Sequence, residues 1–468
     1  MFVGRDSELS KLESLYEQGS FQMVVVYGRR RVGKTTLINE FCRGKKTLSF
    51  TALEQSDADN LADFNRAVAN FFGLPVSIGG FSTWSDALSY VACRAQDERF
   101  VFVFDEFPYA AQRNEALPSI FQVEIDKVFK GTSAFLVLCG SNQGFMESEV
   151  LGRKSPLFGR RTAQIKVGPL GFRDAAKMLP GLSPKDSFRF YGCFGGVPYY
   201  LQQVDPHEGL RENLARLYFD PMGFLFEEPY GLLRQEFQEP ALYSSILRAI
   251  AAGANRAKEI ADRVGVPQTS LPRYLKALES IGIIEKAIPF GENAETSKRG
   301  LYRLSEPCYM FWFRFVMPFT SDIESGLGQA VVKALPEEHI NEYLGHRFEA
   351  LCAEWLAEQA LMDALPINAT AVSSWWGTNP AKRAQDDIDV LAADRISKQL
   401  VIGECKYRES FDETAEIDDL ESKRGLVKGS AATHFVLFTK HEVSAATRKK
   451  MANRADWSFV TLNEMYEG

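Results

Sequence analysis

The sequence predicts a multidomain α/β protein. A parallel-sheet domain comes first, then a helical stretch with a helix-turn-helix, then a second, smaller α/β domain. Three observations predict this. Up to about residue 170, apolar runs that read as strands buried on both faces alternate with amphipathic segments. Residues 243–290 hold two short helical patterns around a Gly-Val-Pro turn. From residue 336, helix and strand patterns resume and end in "HFVLFTK" (434–440) and "WSFVTL" (457–462). The expected divisions are 1–170, 171–238, 239–320 and 336–468.

In the first block the strands are "FQMVVVYG" (21–28), "KTLSFTAL" (46–53), "RFVFVFDEF" (99–107) and "AFLVLCGSN" (134–142). Residues 172–235 read mostly helical, broken by the Gly-Gly-x-Pro of "YGCFGGVPYYLQQV" (191–204). The composition, 45% hydrophobic and 25% charged, is that of a chain with real cores. A net charge of −7 argues against a uniformly basic nucleic-acid coat. Seven cysteines without a Cys-x-x-Cys pair point to a reduced, cytoplasmic protein with no disulfide framework or zinc site. The N-terminus lacks the basic start and apolar block of a signal peptide. The apolar run "YMFWFRFVMPF" (309–319) is short and interrupted by Arg314, so it reads as core rather than a membrane span.

"GRRRVGKTT" (28–36) follows a strand and opens a helix, the context a phosphate-binding loop requires. Gly28 and Gly33 let backbone N–H groups close around phosphate oxygens at a helix N-terminus. Lys34 is placed to reach the β- and γ-phosphates of ATP, and Thr35, with Thr36 beside it, to hold Mg²⁺. "FVFVFDEFP" (100–108) ends a strand in two acids: Asp105 for Mg²⁺ through water, and Glu106 to polarise the attacking water. "FLVLCGSN" (135–142) offers Ser141 or Asn142 as a γ-phosphate sensor. "LFGRRTAQI" (157–165) offers Arg160 or Arg161 as a transition-state arginine.

"FVGRDSEL" (2–9), "GRRRVGKTT", "FDEF", "LCGSN", "LFGRR" and "GGVPYYL" occur here in the order seen in the archaeal-type ATPase family, a branch of the AAA/STAND P-loop ATPases. The resemblance covers roughly residues 1–235. It implies that Gly4 and Arg5 lie near the nucleotide base and that the Gly-Gly-x-Pro element belongs to a helical lid.

In 243–290, "RAKEIADRVGV", the turn Gly265-Val266-Pro267 and "QTSLPRYLKALESIGII" place Ile260, Val264, Leu271, Leu275 and Leu278 at helical spacing. The pattern is that of a winged helix-turn-helix, with the second helix as reader and 283–304 as the wing. Residues 241–305 hold ten Lys and Arg against six Asp and Glu, a local excess of +4. Arg273, Lys276, Lys298 and Arg299 are the expected DNA contacts.

In "LVIGECKY" (400–407), Glu404 and Lys406 stand two apart on an apolar strand and so share a face. A hairpin through "DRISKQ" would bring Asp389 of "DDIDVLAAD" (386–394) beside them. Two carboxylates around a divalent ion with a lysine at the water form the working set of a metal-dependent phosphodiesterase. Glu349, on the helix "GHRFEALCAEWLAE" (345–358), could complete the site or accept a hydrogen bond. A second Glu-x-Lys, Glu421 and Lys423, falls in "IDDLESKRGL", which reads as an exposed helix with a local pair. Helical Glu, strand Asp and Glu-x-Lys together resemble the PD-(D/E)xK restriction-endonuclease-like fold over about residues 340–468, although "DDID" replaces Pro-Asp.

Two readings follow. In the first, the chain is an ATPase coupled to a nuclease that uses Mg²⁺ or Mn²⁺ and contacts nucleic acid, DNA in particular. In the second, it is an ATP-gated switch or DNA-binding scaffold, with ATP-dependent self-association and a nuclease-like domain that only binds.

Overall fold

The computed structural model describes residues 2–74, 80–293 and 296–467; residues 294–295 of the expected wing lie outside this description. The chain divides into two compact units. The first is Met1–Leu170 with Val197–Tyr199, and the second is Gly171–Gly196 with Tyr200–Gly468.

In the first unit, helix α1 (Asp6–Glu17) leads to β1 (Gln22–Tyr27), and α2 (Lys34–Cys42) follows the phosphate-loop sequence. Strands β2 (Thr47–Thr51), β3 (Val101–Asp105), β4 (Phe135–Gly140) and β5 (Ala163–Lys166) complete a five-stranded sheet in the order β2-β3-β4-β1-β5. Every pairing in it is parallel. Successive side chains of β1 enter opposite cores. Met23, Val25 and Tyr27 pack with Phe64, Trp84 and Phe104, whereas Val24 and Val26 pack with Leu37, Phe41 and Val137. Burial on both faces is why these strands read as unbroken apolar runs. The order leaves the carboxyl ends of β1, β3 and β4 side by side, with the helix α3 (Phe107–Arg113) starting after β3.

The second unit opens with α4 (Phe172–Lys177) and α5 (Pro184–Phe194). The helix-turn-helix is α6 (Pro240–Ala251), α7 (Ala257–Val264) and α8 (Leu271–Ser280), followed by the antiparallel pair β6 (Ile284–Ala287) and β7 (Leu301–Leu304). Gly265, at φ 77°, ends α7, a conformation that glycine adopts without a Cβ penalty. The apolar run at 309–319 is core: Trp312, Phe313, Phe315 and Val316 are buried.

The long helix α9 (Glu337–Leu361) precedes β8 (Ala371–Asn379), β9 (Ala384–Asp394), β10 (Gln399–Lys406), α10 (Glu413–Ser422), β11 (Ala431–Thr439) and β12 (Trp457–Thr461). The sheet order is β12-β11-β10-β9-β8; the β8–β9 and β9–β10 pairings are antiparallel, whereas β10–β11 and β11–β12 are parallel. Strand β8 is an addition to the pattern read from sequence. Its "AVSSWWGTN" does not alternate cleanly, because its pairing with β9 shifts between Ser373 and Trp375. The expected β9–β10 hairpin is present, with Gln399 opposite Asp394 and Gly403 opposite Val390. Among the described residues, no helix is long and apolar enough to cross a membrane.

Candidate functional site

The phosphate loop is shaped by backbone crowding. At Gly28, φ is 151° and a Cβ would lie 2.2 Å from the carbonyl oxygen of Val167, so no side chain fits. Gly33, at φ 92°, turns the chain into α2. Between them the Arg31 guanidinium lies 5.3 Å from the ring centre of Tyr199, which places the "VPY" of the Gly-Gly-x-Pro element on the loop. Lys34 is buried, and its ammonium donates to the carbonyls of Gly28 (2.9 Å) and Arg29 (3.0 Å). It thus sits within the loop it serves. Thr36 is exposed in the first turn of α2.

Thr35 Oγ1 donates to Asp105 Oδ2 at 3.4 Å, so the two expected Mg²⁺ partners are adjacent. The other Asp105 oxygen accepts the Glu106 N–H at 2.9 Å. Glu106 is left-handed, at φ 51°. Its carboxylate accepts from the Ser141 N–H (3.1 Å) and the Ser141 hydroxyl, joining the ends of β3 and β4. Asn142 instead caps the next turn, accepting from Phe145 N–H at 3.0 Å. Gly4 and Arg5 both have positive φ; Arg5 donates to the carbonyls of Val32 (3.1 Å) and Gly168 and so braces the loop. Arg160 is turned to Asp126, at 2.5 and 3.1 Å, and to the Pro156 carbonyl. Arg161 donates to the Leu151 carbonyl.

At the end of the β9–β10 hairpin, Cys405 N–H donates to Asp389 Oδ2 at 2.8 Å, bringing Asp389 beside Glu404. Burial, then the Glu404 and Glu349 carboxylates, raise the Asp389 carboxyl well above the ordinary range. Glu349 contributes this field from α9, where it faces His346 at 3.4 Å. Glu404 is only 8% exposed, and each of its oxygens meets an ammonium: Lys406 at 2.8 Å and Lys423 at 3.0 Å. Lys406 also meets Glu416 at 3.0 Å, and Lys423 meets Asp419 at 3.2 Å.

Lys423 is the residue the sequence reading misplaced. It is 4% exposed and pairs with Glu404, whereas Glu421 accepts from Trp457 Nε1 and pairs with Arg454. The cause is its place at the helix end: Lys423 caps α10 three residues beyond the buried Leu420, where the chain turns inward. Among the described residues, no three His, Cys, Asp or Glu side chains form a cluster able to hold a metal ion as they stand.

On the helix-turn-helix, Lys276 is exposed on α8, and Arg273 lies over the Tyr274 ring at 4.5 Å, 3.8 Å from Glu239. In the wing, Lys298 is exposed. Arg299 is not a free contact. It pairs with Glu292 at 2.7 Å and rests against β8, where a Cβ at Gly377 would come 3.0 Å from its guanidinium. The wing is therefore joined to the C-terminal sheet: Phe290 N–H donates to the Ser374 carbonyl at 2.9 Å, and the Phe290 ring packs on the core of Trp375, Ile388 and Leu391.

Three family models match parts of this chain. Residues 2–204 match a family described as an ATPase domain predominantly from Archaea, and residues 244–287 match the IclR helix-turn-helix domain. Residues 312–417 match a family of archaeal and bacterial proteins of unknown function. An uncharacterized protein of Methanocaldococcus jannaschii is 31% identical over 414 residues, 88% of this chain and 89% of that one. Among solved structures, a Walker-type ATPase of Pyrococcus abyssi is 19% identical (67% of this chain and 96% of that one, TM-score 0.49). The ORC2 protein of Aeropyrum pernix is 15% identical (69% and 94%, TM-score 0.43). The chain belongs to the archaeal-type ATPase family, with an IclR-type helix-turn-helix behind the ATPase domain and a separate mixed-sheet domain at its C-terminal end.

Proposed function

We propose that this ATPase binds DNA through its helix-turn-helix and cleaves nucleic acid in a C-terminal domain of the restriction-endonuclease-like fold. In the ATPase part, Lys34 and the loop N–H groups would bind the β- and γ-phosphates. Thr35 and Asp105 would hold Mg²⁺, which neutralises phosphate charge. Two protein donors suffice for that ion, because it keeps several waters. Glu106, positioned by Ser141, would orient and polarise the attacking water. Arg161 would serve the transition state, since Arg160 is engaged by Asp126. Arg273, Lys276 and Lys298 would meet DNA phosphates.

The observation that carries the nuclease half is the convergence of Asp389, Glu404 and Lys406 at one end of a hairpin. The Glu404 and Glu349 carboxylates press on that of Asp389, and a divalent cation, Mg²⁺ or Mn²⁺, on Asp389, Glu404 and Glu349 would relieve that repulsion and polarise a phosphodiester. Lys406 would orient the nucleophilic water. A specific observation favours a second reading, an ATP-gated switch that only binds: both Glu404 oxygens are already held by lysines.

Incubation of supercoiled plasmid with wild type and Lys406→Ala, with Mg²⁺ or Mn²⁺ and with or without ATP, separates the two. Nicking by wild type alone is expected. Two inert proteins, with DNA affinity or self-association that still responds to ATP, would replace the nuclease with the switch.

A further inference from the structure

Within the second unit, a cleft of about 1290 Å³ runs between the β6–β7 pair, α9 and the β8–β9 strands. Asp387, Asp389 and Glu349 line one side of it, and Tyr302 and Trp376 also line it. The helix α8 contributes nothing to its walls. The wing strands β6 and β7 do wall it, but the reading helix α8 and the cleft beside the acids are different places.

Arg347 makes this cleft unusual. It lies on α9, two residues before Glu349, and lines the cleft. One guanidinium nitrogen stands 3.2 Å from the Met310 sulfur, a poor acceptor, and its Nε is buried without a hydrogen-bond partner. Among the described residues, no carboxylate stands within ion-pair distance of it. Glu354 on the same helix feels its charge only at longer range; a partly buried guanidinium without a contact partner is costly, and an anionic ligand would relieve that cost. Arginine matches phosphate in particular, through a planar fork of donors.

The acids alone would repel such an anion, so the ligand must bring phosphates to Arg347 and a phosphodiester towards Asp389. The cleft has the volume of a small-molecule site, on the order of 1,000 Å³. That accommodates a few nucleotides in single file but not the thick cylinder of a duplex. Trp376 stands opposite Asp387 across the β8–β9 pairing and so shares its face. An indole at this position suits an unstacked base.

We infer that this cleft binds a single-stranded stretch of nucleic acid, its phosphates on Arg347 and its bases against Trp376 and Tyr302. The inference rests on the nuclease reading of Asp389, Glu404 and Lys406 for its purpose but not for its binding chemistry.

The test is fluorescence anisotropy of the full chain in EDTA, with labelled oligothymidylate, oligouridylate and a blunt DNA duplex as probes. Arg347→Met, which preserves packing against Met310, is expected to weaken one or both single strands by roughly tenfold or more. Trp376→Leu is expected to weaken them by roughly tenfold. Both variants keep wild-type duplex affinity, whereas Arg273→Ala does the reverse. No loss in either variant, or equal losses on strand and duplex in both, would overturn the inference. Binding through Arg347 without any cleavage would retain it and remove the nuclease reading. Cleavage by wild type together with single-strand binding that Arg347→Met leaves unchanged would do the opposite.

Discussion

Lys423→Met removes one of the two ammonium groups on Glu404 while preserving most of the side-chain volume. Breaking one partner out of a buried pair costs about 3–5 kcal/mol when the other charge is left alone. Here the losses are partly covered: Glu404 keeps Lys406 at 2.8 Å, and the more exposed Asp419 keeps Lys382 at 2.5 Å. The expected cost is therefore nearer 2–3 kcal/mol. Lys406→Met should cost less, about 1–2 kcal/mol, because that side chain is 16% exposed against 4% for Lys423. Glu404→Gln in the Lys423→Met background should recover part of the loss, with a coupling of at least about 1 kcal/mol. The assay is urea unfolding followed by tryptophan fluorescence, which is weighted to the C-terminal domain because four of the six tryptophans, Trp355, Trp375, Trp376 and Trp457, lie there. A Lys423→Met midpoint equal to wild type, or a double variant destabilised by the full sum of the singles, would refute the two-lysine account.

Lys34→Ala should abolish phosphate release from ATP. Glu106→Gln should keep fluorescent-nucleotide binding while slowing turnover by at least about 100-fold; equal loss of binding and turnover would deny it the water-orienting role. On the duplex, Arg273→Ala and Lys276→Ala should each lower the slope of log affinity against log salt by about one, whatever the base sequence. Glu354 gives a pH signature. Burial raises its carboxyl to about 7, against the opposing hydrogen bonds from Phe172 N–H (2.9 Å) and Tyr191 OH (3.1 Å). Between the unfolded value of 4.5 and about 7, the folded chain holds a proton that the unfolded chain has released, so stability falls as pH rises through this window and then levels off. The contribution is on the order of 3 kcal/mol. Thermal melts at pH values on either side of the window should show the fall in wild type and a smaller one in Glu354→Gln.

Legibility followed the reach of the interactions. The ATPase strands could be read because a sheet covered on both faces leaves runs such as "MVVVY" and "VFVFD", and the phosphate loop because its glycines answer a local steric demand at Gly28 and Gly33. Asp389 could be placed beside Glu404 because a short hairpin ties them. Lys423 was masked by Glu421, a nearer partner in sequence that turns elsewhere in space. Arg299 looked like a phosphate contact because its ties, to Glu292 and to the backbone at Gly377, depend on how the wing docks. Arg347 carries no pattern at all: only the fold shows that the nearest acceptor to its guanidinium is a thioether.

The docking of Phe290 makes the helix-turn-helix and the C-terminal domain poor candidates for separate expression. A cut between residues 320 and 336 would strip Phe290 from the core around Trp375 and leave the Ser374 carbonyl without its donor. Each fragment would then carry a greasy, half-finished surface. Fragments that span residues 171–468 keep this seam closed, together with the Tyr343 hydroxyl's bond to the Gly192 carbonyl, so a well-behaved fragment is to be sought there.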